Sequence, residues 1–199
     1  MTKRRGEDGD DENGYGAVLG KDLIFSGLVG DKLHAFLWEH LLRAGTRLDE
    51  DASKTKEGRR LMLNSPGGST ETMFSIVDLI EESWDLTTVA TGRCMSAAVP
   101  IIAAGTPGKR YATARTRFMV HPSWMVFVSP VEKEELLSEG AEFAVVHSQY
   151  ASIMARYCKH SRTWWLTKLD THKPWYFGAD EAVTHGIIDH VIVPERGRS

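Results

Sequence analysis

Leu61–Ser69 reads LMLNSPGGS, a short apolar run that ends in a proline and two adjacent glycines. The next fourteen residues, Thr70 to Ser83, place Met73, Phe74, Ile76, Val77, Leu79 and Ile80 at helical spacing. A buried strand that turns through glycine into an amphipathic helix is therefore expected here. The paired glycines let main-chain amides approach a ligand where a Cβ would obstruct, although they serve an ordinary turn equally well.

The same alternation extends in both directions. Upstream, Asp22 to Val29 reads as a short strand, and Asp31 supplies an N-cap for a helix with Leu33, Phe36, Leu37 and Leu41 inward and Gly45 at its end. Thr46 to Arg60 is polar and unpatterned. Downstream, Leu86 to Thr91 is β-branched, Gly92 is expected to break it, and a small-residue helix follows from about Met95 to Ala104. Gly105 and Pro107 make a turn, and Arg117 to His121 is a further strand. A strand is expected at Trp124 to Val128, before a long helical stretch, about Pro130 to Lys159, with a break expected near Gly140. A helix at Ser161 to Leu169, a short one in ADEAVTHG and a strand at Ile187 to Ile192 complete the pattern. Strands alternating with helices at these lengths predict an α/β domain with a largely parallel sheet.

With 199 residues, 42% hydrophobic and 26% charged, the chain has the profile of one soluble globular domain. A chain of this size buries roughly 70% of its unfolded surface, so it needs neither disulfides nor a structural metal. Cys94 and Cys158 show no ligand spacing and read as reduced thiols of a cytoplasmic protein. No metal and no cofactor are expected. A net charge of -3 gives no basic field for nucleic acid. No apolar run approaches the roughly 18 residues of a membrane span, so no membrane partner is expected either. Residues 1–17 carry charges and glycines but little apolar surface and are expected to be a flexible arm. The folded domain is expected over 18–193, with a short tail at 194–199.

Common catalytic signatures are absent: there is neither GxSxG nor HExxH, and GTPGKR at 105–110 lacks the spacing of a phosphate loop. The chain thus shows no ATPase site of its own. What remains is Ser96, after a strand and a glycine at the start of a helix, where free amides can stabilise an oxyanion. Its alternative role is a helix cap. His121, 25 residues further on at a strand end, can supply a base or simply bond a carbonyl. The other seven histidines have no comparable context.

Four blocks together resemble the proteolytic subunit of the Clp protease, a serine peptidase ring that works with an ATP-driven unfoldase. They are LMLNSPGGS at 61–69, ATGRCMSAAVPIIAAGTPGKRYA at 90–112, RFMVHP at 117–122 and GADEAVTHGIID at 178–189. The resemblance spans roughly Leu23 to Val193. It implies a spiral of ββα units, shared with the crotonase group, and a protruding helical handle formed by the long helix. It also implies Ser96 as nucleophile, His121 as general base, and the amides of Gly68 and Ala97 as the oxyanion hole. The implied partners are polypeptide substrates, further copies of the chain in a heptamer or stacked heptamers, and an AAA+ unfoldase.

Two departures stand against that pattern. The family's third catalytic residue is an aspartate five positions before the alanine that opens the last helix, and here Pro174 occupies it. Asp170 is the substitute candidate, His172 a weaker one, and a dyad the remaining possibility. After His121 the family has a glycine-rich strand, whereas this chain has PSWMVFVSPVEKEELLSEG. A non-catalytic ring subunit, or less so a crotonase-type acyl-CoA enzyme, are the alternative readings.

Overall fold

The computed structural model describes residues 14–43, 58–83, 85–122, 133–171 and 173–193. The arm up to residue 13, most of the polar connection after α1, the strand expected at Trp124 to Val128, and His172 lie outside the described residues.

The architecture is mixed α/β around one open sheet of eight strands. In chain order these are β1 (Tyr15–Leu19), β2 (Asp22–Ser26), α1 (Asp31–Arg43), β3 (Arg59–Ser65), α2 (Thr70–Glu82), β4 (Leu86–Met95), α3 (Ala98–Ala103), β5 (Arg110–Thr113), β6 (Arg117–Val120), α4 (Lys133–Tyr157), α5 (Arg162–Leu169), β7 (Trp175–Gly178), α6 (Ala179–His185) and β8 (His190–Ile192). β2, β3, β4, β5 and β8 run parallel, as expected, with β1 antiparallel on β2. β6 leaves this path to pair with the far end of β4 and, antiparallel, with β7.

β1 folds back on β2 through the turn at Gly20. The helices cover an apolar layer that includes Leu23, Phe25, Leu61, Leu63, Ile76, Ile101, Ile102 and Trp165. α2 keeps its expected extent because Ser69 caps it, accepting from the Thr72 amide at 3.0 Å, while Met73, Ile76, Val77, Leu79 and Ile80 are buried.

Three local expectations are corrected. Gly92 does not end its strand: β4 runs on to Met95, with Gly92 at φ 56° and a register shift opposite Leu63 and Ser65. The Asn64 side chain takes over the missing ladder bond, its Oδ1 accepting from the Arg93 amide at 2.9 Å. The following helix is correspondingly shorter, starting at Ala98. α4 passes Gly140 unbroken, a residue that weakens a helix by about 1 kcal/mol relative to alanine without stopping it.

Arg110 ties the layers together. Its guanidinium donates twice to Asp189, at 2.9 Å to Oδ2 and 2.6 Å to Oδ1, and also to the carbonyls of Ala103 and Tyr157. One buried side chain thus links β5, the end of α3, the end of α4 and the entry to β8. The GTPGKR turn is an ordinary turn in which Lys109 pairs with Asp85 at 2.7 Å.

Candidate active site

β4 and β6 are parallel neighbours, with Met95 opposite Met119, and the Ser96 amide donates to the Met119 carbonyl at 2.7 Å. The main chain itself therefore holds the end of β4 against the end of β6. Ser96 follows β4 immediately and adopts φ 53°, the one non-glycine residue in the left-handed region among the described residues. Such a conformation is uncommon for a residue with a Cβ and marks a tight turn that aims a side chain. His121 follows β6. The two side chains meet: His121 Nε2 lies 2.8 Å from Ser96 Oγ.

The glycine pair from Leu61–Ser69 forms the facing wall. Gly67 takes φ 101° and Gly68 φ 152°, both in the region that favours glycine. A Cβ on Gly67 would stand 3.2 Å from Ser96 Oγ, and one on Gly68 would stand 2.2 Å from the Val29 carbonyl oxygen. Val29 fixes this wall, donating to the Gly67 carbonyl at 2.9 Å and accepting from the Ser69 amide at 2.8 Å. The amides of Gly68 and Ala97 have no acceptor among the described residues. Two such donors beside a hydroxyl are what an oxyanion requires. Because α3 has only six residues and begins two positions after Ser96, the individual amides rather than a long helix dipole supply this polarity.

Burial holds the His121 imidazole below the usual histidine range, while a backbone hydrogen bond at Pro122 pulls the other way. The ring is thus neutral, and able to accept a proton, at neutral pH. Cys94, two residues from Ser96, is no competing nucleophile: it is fully buried, and burial drives its thiol well above the ordinary cysteine range.

Val120 pairs with Trp175 across β6 and β7, so one further step of that register sets Pro174 opposite His121. Along that register the residue facing His121 is a proline, not a carboxylate. Asp170 lies four residues earlier, capping the end of α5 with its amide donating to the Leu166 carbonyl at 2.9 Å. Its charge reaches His147 on α4, a residue that in turn feels His121. Nothing in the sequence singled out His147, because a histidine in mid-helix has no local signature. Among the described residues no group of three or more histidine, cysteine, aspartate or glutamate side chains is arranged to hold a metal ion. Nor is any helix among them long and apolar enough to cross a membrane.

An α/β chain that holds a hydroxyl against an imidazole, beside two open amides, has the constellation of a hydrolase. The sequence profile of the Clp protease family matches residues 33–195, and the chain belongs to that family. It is 30% identical over 186 residues to the ATP-dependent Clp protease proteolytic subunit 3 of Frankia casuarinae, across 92% of this chain and 82% of that protein. Proteolytic subunit 1 of Mycolicibacterium paratuberculosis is 30% identical over 184 residues, across 92% of this chain and 83% of its own length. Proteolytic subunit 2 of Mycobacterium leprae is 28% identical over 183 residues, covering 92% and 82%. Family and relatives make this chain a Clp-type protease, a hydrolase that acts in proteolysis.

Proposed function

We propose that the chain is a serine endopeptidase subunit that hydrolyses peptide bonds of unfolded polypeptides. The 2.8 Å contact between Ser96 Oγ and His121 Nε2 carries this reading. In the mechanism it supports, Ser96 Oγ attacks the peptide carbonyl carbon while His121 takes its proton. The oxygen that becomes negative is held by the Gly68 and Ala97 amides, each worth roughly 3 to 4 kcal/mol to the barrier. His121 then gives its proton to the leaving amine, and water releases the acyl group by the reverse sequence.

The resemblance extends the proposal to assembly: a cytoplasmic homo-oligomeric ring, a heptamer or stacked heptamers, fed by an AAA+ unfoldase, with α4 as the protruding handle of a spiral fold. The flexible arm and the domain over 18–193 belong to the same reading. Labelling by a fluorophosphonate probe tests the chemistry, with Ser96→Ala as control and light scattering on the same sample for assembly. Labelling that disappears in Ser96→Ala supports the reading, and labelling retained in that variant rejects Ser96.

Pro174 beside His121 favours one alternative, a non-catalytic member of the ring. An assembled ring that takes no label would establish it.

A further inference from the structure

The turn that joins α4 to α5, Cys158 to Ser161, carries a pair of touching imidazole groups outside the Ser96 and His121 site. His160 Nε2 lies 2.7 Å from His185 Nδ1, and His185 closes the last turn of α6. Two further bonds to the same end of α6 flank this contact. The Lys159 amide donates to the His185 carbonyl at 3.0 Å, and Lys159 Nζ donates to the Val183 carbonyl at 3.1 Å. Gly186, the left-handed cap of α6, approaches the turn so closely that a Cβ on it would stand 3.1 Å from the Lys159 nitrogen. Three polar contacts thus fasten α6 to the turn, and of these only the histidine pair titrates near neutral pH. α6 follows β7 directly, and β7 is the antiparallel partner of β6, the strand that leads to His121.

The surroundings of the pair are aromatic and largely cationic. His160 stacks on Trp164 of α5, with ring centroids 3.7 Å apart and planes 11° from parallel. His185 meets Trp175 of β7 edge to face at 4.9 Å. Among the described residues the charged groups that face the pair are Lys159 from the turn, Lys168 from α5 and Glu181 from α6. Lys168 Nζ stands 5.1 Å from the centre of the Trp164 ring, and Glu181 Oε1 lies 3.5 Å from His185 Nε2. Burial, then His185, Lys168 and Lys159, lower the proton affinity of His160 below that of an ordinary histidine.

Hydrogen-bond chemistry limits how many protons this contact tolerates. With both rings neutral, one of the facing nitrogens donates and the other accepts. One added proton still leaves a donor against an acceptor. A second leaves two N–H groups, each on a cation, across 2.7 Å with no lone pair between them.

We propose that His160 and His185 form a pH-sensitive clasp, which holds the end of α6 on the turn between α4 and α5 while the pair carries at most one added proton and opens when it carries two. His160 binds a proton less well in the folded chain than in the unfolded one. The clasp's contribution is therefore complete above the ordinary histidine value of about 6.5 and is lost as pH falls through the lower, folded value.

The test uses the full chain, with amide hydrogen exchange and NMR of histidine-labelled protein as readouts. Protection of the α6 amides, normalised to that of α2, should fall by about tenfold between pH 7.5 and 5, the effect of one pKa unit of differential proton binding. The two rings should titrate in two steps at least about one unit apart, as interacting sites do. His160→Gln presents a donor and an acceptor at any pH, so it should flatten the α6 profile and leave His185 with a single step. His185→Gln should do the same for His160. In the unsubstituted chain, α6 protection that keeps pace with α2 over this range overturns the proposal, as do two rings that titrate independently. A fall of unchanged size in either variant overturns it too. Should neither variant fold, the two-step titration and the α6 profile of the unsubstituted chain decide alone.

Discussion

Gly67 and Ser96 touch so closely that a Cβ on the glycine would stand 2.6 Å from the serine Cβ and 2.8 Å from the Met95 carbonyl oxygen. The strand-to-helix turn between β3 and α2 and the turn that holds Ser96 are thus two halves of one contact. Gly67→Ala meets both a steric block and a φ of 101°, a backbone region costing a non-glycine residue on the order of 1–3 kcal/mol. Labelling of Ser96 should fall by at least tenfold, with a loss of stability of that order on urea unfolding. Normal labelling would show that the wall yields without consequence.

If His121 is the base, as proposed, the acid limb of activity follows from it. Its proton affinity is lowered by burial, so it works as a base below the pH at which a solvated histidine, with pKa about 6.5, would be half protonated. The pH profile of kcat/KM should hold its plateau below that value before declining. The folded chain binds this proton less well than the unfolded chain, so the same group makes stability decline as pH falls through about 6.5 and leaves it unaffected above. His121→Gln should remove the contribution and the activity together, as read from thermal unfolding at pH 5.5 and 7.5.

Asp189 presents the opposite sign. Burial raises its pKa, but the hydrogen bonds and charge of Arg110 outweigh this and leave it below the ordinary 3.8. Its contribution is present above the unfolded value and is lost as pH falls through the lower, folded one. Asp189→Asn leaves the buried Arg110 guanidinium without its counter-charge, at a cost of roughly 3 kcal/mol or more. Denaturant unfolding at neutral pH checks this, and the difference between the two proteins should shrink in acid.

Gly68→Ala tests the facing wall. Its Cβ would lie 2.2 Å from the Val29 carbonyl oxygen, so the loop must shift and carry its amide with it. Loss of one oxyanion donor lowers kcat by about a hundredfold or more. Peptide hydrolysis should drop to that extent while KM changes little. An unchanged kcat would take Gly68 out of the oxyanion hole.

Much of this was legible in the sequence because it depends on local chemistry. Apolar spacing in Thr70–Ser83 and the glycines that precede it specify a turn whatever lies elsewhere in the chain. Ser96 could be singled out at the start of a helix behind a strand and a glycine, and His121 at the end of a strand. What escaped depends on distant partners. Gly92 reads as a strand breaker until Asn64, a residue of the neighbouring strand, supplies an acceptor for Arg93. β7 was missed because four residues, Trp175–Gly178, gain their identity only by pairing with β6. His147 lies in a helix whose relation to α5 and β6 no short-range pattern encodes.

The amide of Ser96 is bonded to the carbonyl of Met119, two residues before His121. The spacing of Ser96 and His121 is thereby gauged by the backbone of two adjacent strands. On the proposed reading, a loosening of that seam would part Ser96 from His121 before the rest of the molecule unravelled, so reactivity toward a serine probe would report the integrity of the sheet as well as its chemistry.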